Sequence, residues 1–247
     1  MPTLRTVYMW RFFARCFVLL AVTLALHFLP DQFVIVQSGR FLDRITLLHI
    51  LWFVWIIDML LQLIPLKNGI MALGSQKIFR RHYNAAEAAT SRMKAAVKTM
   101  TRRAYAVFAV WALLVASLGM LHAKKILDDL DLLWISVLFY VCDLICVLFW
   151  CPFRQFFMKN RCCTTCRIFN WDHLMMFSPL IFVSGFFARS LVVMSVIVFL
   201  MWELTAFLHP ERFWEGTNDT LKCKNCTDRL CIHAKKIHKD EKRLQQE

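Results

Sequence analysis

Charge is scarce in this chain. Of 247 residues only 19% are Asp, Glu, Lys or Arg, against 59% hydrophobic, and 22 Phe and 9 Trp are present. A soluble domain of this length carries more charge and fewer aromatics. Glycine is scarce as well, with six residues, and no Gly-rich phosphate loop, H-E-x-x-H or G-x-S-x-G occurs. Those absences remove the usual signs of phosphate-loop, zincin and α/β-hydrolase chemistry. No nucleotide, flavin, haem or quinone motif takes their place, and there is no internal repeat or low-complexity tract.

Six apolar stretches approach the ~20 residues needed to cross a ~30 Å hydrocarbon core. They are residues 9–29, 45–64, 104–121, 132–150, 174–188 and 191–208. The fifth is short unless it begins near Ile168. The first resembles a signal peptide, with Arg5, Arg11 and Arg15 ahead of an apolar run. The run is long, however, and ends in Leu26-His27-Phe28-Leu29-Pro30, without the small-residue cleavage pattern. It is read as a retained span. The expected fold is therefore all-α, a six-span transmembrane helix bundle.

Lys and Arg fix the expected orientation. The N-terminus to Arg15, the loops 65–103 and 151–173, and the tail 209–247 hold 25 of them, against 5 in the opposite-side segments. The positive-inside rule then puts both termini in the cytosol, in a plasma (inner) membrane. The formal charge of +13 is explained by loops facing an anionic inner leaflet, so nucleic acid is not an expected partner. The chain divides into spans one and two (1–64), a basic helical loop (65–103), spans three and four (104–150), a Cys-rich loop (151–173), a hairpin of spans five and six (174–208) and a Cys-rich tail (209–247). Residues 85–103 are Ala-rich and basic, which predicts a helix lying at the headgroups and running into span three. Gly74-Ser75 is expected to break two such helices, Pro179 to kink span five, and 185–190 to form the outer turn. The loop 65–103 and the tail 209–247 are also candidate docking surfaces for a cytosolic protein.

Seven of the ten cysteines fall on the expected cytosolic side, where disulfides are disfavoured and metal or redox chemistry is the better explanation. Cys163-Thr164-Thr165-Cys166 and Cys223-Lys224-Asn225-Cys226 are both C-x-x-C, a spacing that lets two sulfurs meet one ion ~2.3 Å away. A membrane hairpin between the pairs returns the chain to the face it left, so the four thiols could close a tetrahedral site. Cys151, Cys162, Cys231 and His233 are possible extra ligands. Zinc and an iron–sulfur cluster both remain open as the cofactor. Cys16, Cys142 and Cys146 lie within spans and are expected to be buried structural thiols.

Three acidic residues fall within spans: Asp58, Asp143 and Glu203. A carboxylate there costs roughly 2.5–3.5 kcal/mol on insertion scales and asks for a reason. Counted along three helices that run inward, all three lie at one depth, about 17–20 Å below the outer surface. No Lys or Arg is expected at that depth in spans one, three or five. The layer would then hold a cation, relay protons, or rest protonated and hydrogen-bonded. Asp172 and His173, at the mouth of span five, stand between this layer and the cysteines. His27, His49 and His122 near the outer span ends carry no diagnostic ligand spacing. Three functions fit these features. One is a membrane protein whose four-cysteine metal site clamps the last hairpin below a layer that moves a cation or proton. Another is a membrane oxidoreductase or electron-transfer protein with an iron–sulfur centre. The third is a non-catalytic assembly factor.

Overall fold

The computed structural model describes residues 3–33, 36, 41, 45–67, 69–87 and 89–230. Among them the chain is helical, with no strand and one isolated bridge between Ala85 and Asn218. Four helices are long and apolar enough to cross a membrane: α1 (Leu4–Phe28), α4 (Thr90–Ala123), α5 (Asp129–Leu148) and α7 (Phe186–Leu208). Between them lie a shorter apolar helix, α2 (Leu47–Gln62), a single turn, α3 (Leu73–Gln76), and the six-residue α6 (Asp172–Phe177). Local sequence sets several of the ends. Thr3 accepts the Thr6 N–H to start α1. Asp128 and Asp131 close a reciprocal capping box at the start of α5, at 2.8 and 2.9 Å.

The expected fifth span is not one continuous helix. α6 gives way at Ser178 to a 3₁₀ turn through Phe182, Val183 is extended, and α7 already begins at Phe186. Pro179 has no N–H to donate, and Gly185 at φ +128° supplies a conformation that L side chains rarely adopt. The turn leading into α7 is therefore at 183–185, not at 185–190 as expected. Side-chain hydrogen bonds tether this region, from Trp111 Nε1 to Ser178 Oγ (3.0 Å) and from Trp52 Nε1 to Ser190 Oγ (2.8 Å). Close packing holds it as well: a Cβ on Gly119 of α4 would stand 2.4 Å from the Phe182 ring.

α1 packs along α5, α2 packs along α7, and α6 with its 3₁₀ extension wedges between α5 and α7. Trp55, Phe177 and Phe187 form the aromatic centre of the larger core, with Trp55 fully buried 5.1 Å from the Phe177 ring. A second core joins α4 and α7 to the loops through Val107, Trp171, Trp202 and Phe213. Of the predicted 85–103 helix, the part from Thr90 onward opens α4, which runs on without a break, whereas Ala85 pairs with Asn218 in the isolated bridge. Gly74-Ser75 does not separate two helices. It belongs to the buried turn α3, where a Cβ on Gly74 would meet the Phe169 ring and the Thr164 carbonyl at 2.7 Å.

At one end of the bundle the loop 65–87 and the segment 209–230 cover each other. Arg212 Nη1 donates to the Ile78 carbonyl (2.6 Å), and Asp228 Oδ2 accepts the Leu73 N–H (3.0 Å). Lys77 is buried beneath this cap. It donates to the Cys166 carbonyl at 3.1 Å and packs against the Trp202 and Phe213 rings. Burial pushes its pKa down to about 7, from an ordinary 10.5. The folded protein thus holds fewer protons than the unfolded chain between those values, so this residue makes stability rise from pH 7 towards pH 10. The melting temperature of wild type is expected to rise relative to that of Lys77→Met as pH rises over that interval. A difference that stays constant with pH would reject a lysine neutralised by burial.

Candidate functional site

Arg15 lies three turns into α1 and is only 6% exposed. Its Nη1 donates to Asp143 Oδ2 at 2.6 Å and to the Tyr140 carbonyl at 2.7 Å, while Nη2 stands 3.7 Å from Asp58 Oδ2. The guanidinium also sits 3.9 Å above the Tyr140 ring. This overturns the expectation that no basic side chain reaches the depth of the span acids. Arg15 reads as a cytosolic flank when the span is begun by hydropathy. Helix α1 in fact starts at Leu4, which carries Arg15 about 16 Å inward along the axis.

The network continues beyond Asp58. His173 Nε2 is 3.5 Å from Asp58 Oδ2, and its Nδ1 is 3.2 Å from Asp172 Oδ1. Gln62, one turn after Asp58 on α2, donates to Asp172 Oδ2 at 3.0 Å. Asp58, Asp143, Asp172 and His173 are thereby brought together, whereas Glu203 is elsewhere. It forms a bidentate pair with Arg167, both contacts 2.7 Å, and accepts the Trp171 indole N–H at 2.7 Å. Equal depth does not mean contact: α7 presents Glu203 towards the loop carrying Arg167, while α2 and α5 present their acids to α1. The single carboxylate layer is two separate clusters.

Two cavities meet at the first cluster. The smaller, about 20 Å³, is polar and lined by Tyr8, Arg11, Arg15, Asp58, Gln62, Ser75, Asp143 and Asp172. It has room for about one water molecule. The larger, about 320 Å³, is walled by Trp111, Phe139, Phe153, Met175 and Met176. Its charged groups are Arg154 together with Asp143 and Asp172, the two acids being shared with the small cavity, and its thiols are Cys142, Cys146, Cys151, Cys163 and Cys166. This volume is in the range of small-molecule sites.

Three of these thiols form a contact group. Cys151 is hydrogen-bonded to both Cys146 and Cys163, and its sulfur accepts the Arg154 N–H at 3.4 Å. Cys163 Sγ also donates to the Cys146 carbonyl at 3.1 Å. Hydrogen bonds from the two neighbouring thiols, and then from backbone amides, hold the Cys151 pKa well below the usual thiol range. The same contact pushes the Cys163 thiol up, so Cys151 is the member of the pair that gives up its proton more readily. Cys142 and Cys146, expected as inert structural thiols, in fact face the cavity.

Among the described residues, no three His, Cys, Asp or Glu side chains are grouped as metal ligands. The expected pairing of Cys163 and Cys166 with Cys223 and Cys226 is not assembled among them. Cys163 and Cys166 turn into the cavity, whereas exposed Cys223 and half-buried Cys226 lie on a 3₁₀ turn outside it. Of the possible extra ligands, Cys151 belongs to the thiol group and Cys162 lies 3.2 Å from Thr164 Oγ1. Cys231 and His233 fall outside the described residues. The outer histidines are engaged locally where bonds are described, His122 with Asp129 at 2.9 Å and His49 with Thr46 and the Phe41 carbonyl.

Comparison with protein-family models, with curated proteins and with solved structures finds no significant match. Fold and site together define an all-helical protein with helices long and apolar enough to span a membrane, built around a buried ionic cluster and a thiol-lined cavity.

Proposed function

We propose that the chain is a membrane thiol oxidoreductase that passes electrons from cytosolic thiols to a lipid-soluble quinone. It would cross the bilayer six times, with α2 and the broken segment 172–182 as the two shorter crossings and both termini cytosolic. One observation carries the reading: Cys146, Cys151 and Cys163 are in contact on the wall of a largely apolar cavity whose charged groups are Asp143, Asp172 and Arg154. An apolar cleft suits a hydrophobic ring, and a depressed thiol pKa suits a nucleophile. In the oxidation, the Cys151 thiolate and the Cys163 thiol form one S–S bond as Cys163 releases its proton, while the quinone gains two electrons, that proton and a second one to become a hydroquinone. A soluble dithiol restores the pair by exchange, for which exposed Cys223, with half-buried Cys226 beside it, is the accessible entry thiol. Disulfides in a reducing compartment are characteristically transient and catalytic of this kind.

Cation conduction is less favoured, because Arg15 already supplies the positive charge that a bound cation would bring to Asp58 and Asp143. The test is a single-turnover assay on protein purified anaerobically with its thiols reduced, after recording metal content and visible spectrum. Short-chain ubiquinone is expected to be reduced with the loss of two alkylatable thiols, and Cys151→Ser is expected to abolish the reaction. Colourless protein that holds tightly bound zinc and leaves quinone unreduced would overturn this reading in favour of a structural clamp. A brown protein would point to an iron–sulfur centre instead.

A further inference from the structure

The geometry points to a proton-transfer wall: Asp143 and Asp172 carry protons between the small polar cavity and the thiol-lined cavity, with His173 and Asp58 as the relay behind Asp172. The inference rests on the oxidoreductase reading and adds the path of the protons to it. Asp143 and Asp172 are the polar residues common to both cavities. Behind them the polar atoms follow one another from Gln62 to Asp172 (3.0 Å), to His173 (3.2 Å), to Asp58 (3.5 Å), to Arg15 (3.7 Å) and on to Asp143 (2.6 Å).

Of the buried atoms without a hydrogen-bond partner among the described residues, two belong to this cluster, Gln62 Oε1 and His173 Nε2. Gln62 is 2% exposed and lines the small cavity, so a water there would donate to Oε1 and touch the carboxylates. Charge counting supports a mobile proton. The groups facing one another are Arg11 and Arg15 from α1, Asp58 from α2, Asp143 from α5, and Asp172 with His173 from α6. Three carboxylates against two guanidinium groups leave one negative charge, which a single proton shared with His173 cancels. The cluster therefore holds one proton that can leave or arrive without creating more than one unpaired buried charge.

In the redox step the Cys163 S–H bond breaks, the Cys151 thiolate and the Cys163 sulfur form one S–S bond, two electrons enter the quinone, and each quinone oxygen takes a proton. The Cys163 proton passes directly to the acceptor. A second proton, delivered by the wall, completes the hydroquinone, so protons and electrons balance.

Single-turnover quinone reduction measured as a function of pH, in H₂O and D₂O, tests this. Wild type is expected to show a pH-dependent rate and a solvent isotope effect. Asp172→Asn is expected to slow the rate by about 100-fold or more, the usual effect of losing a positioned proton donor, and to flatten the pH profile. Its maleimide reactivity at Cys151 should be unchanged, and Asp172→Glu should recover much of the rate. If Asp172→Asn does not fold, as judged by its melt, His173→Gln carries the same test. Turnover at the wild-type rate, with the wild-type pH profile, in Asp172→Asn and His173→Gln would overturn the wall and leave the oxidoreductase standing. No quinone reduction by wild type would overturn both.

Discussion

Replacing Arg15 by leucine is expected to destabilise the protein by about 3–5 kcal/mol, the usual consequence of removing one partner from a buried ion pair. The magnitude follows from what is left behind. Asp143 loses its 2.6 Å partner, Asp58 loses the nearer end of the guanidinium, and the Tyr140 carbonyl loses its side-chain donor. Arg15 is 7% exposed at the side chain and both acids 18%, so water cannot replace these contacts without opening the α1–α5 seam. The double variant Arg15→Leu with Asp143→Asn removes the uncompensated charge and is expected to recover a large part of the loss, since Asp58 keeps His173. Thermal or SDS-induced unfolding in detergent measures both. A single variant within about 1 kcal/mol of wild type would mean a pair no stronger than a surface salt bridge.

Glu203→Ala is expected to cost a similar 3–5 kcal/mol, and for a compound reason. Arg167 is 5% exposed and would lose both of its carboxylate hydrogen bonds. The Trp171 indole, 1% exposed, would lose its acceptor too, and an orphaned buried donor by itself costs about 1–3 kcal/mol. Glu203→Gln can still accept from one donor and should lose less than alanine. Arg167 directly follows Cys166 in the chain, so the alanine variant should also loosen the thiol loop. Faster alkylation of Cys163 and Cys166 would report this. Unchanged alkylation together with an unchanged melt would show that α7 and the loop are not joined through this pair.

The membrane class and the helical content are legible in hydropathy, because crossing a bilayer demands long apolar helices. The number of crossings is less so. Between Asp172 and Phe182 helical hydrogen bonding changes type, and composition carries no sign of that beyond Pro179 and Gly185. The acids of the site are visible as charges out of place, and Asp172 and His173 stand out by their position. Their partners are harder to see. Arg15 and Arg167 sit at the edges of apolar runs, where Lys and Arg usually mark an interface, and only a helix that begins earlier or a loop that folds inward draws them into the core. The cysteine pattern suggested a metal because spacing within each C-x-x-C pair is local. Which thiols actually meet depends on the turns at Cys151 and Cys163, which bring them to Cys146 at the end of α5.

The contact between Arg15 and Asp143 spans 128 residues of sequence, and that separation bears on how the protein is made. A ribosome delivers α1 to the membrane long before α5 exists. Arg15 must therefore enter with its charge unanswered, at a cost on insertion scales of roughly 2.5–3.5 kcal/mol. Its long side chain can reach back towards the headgroups during that interval. In a membrane-spanning chain α1 would then wait near the interface, Asp58 of α2 would offer the longer contact first, and Asp143 of α5 would complete the shorter one. Biogenesis should accordingly be sensitive to Asp143 at a stage when most of the bundle has already been made.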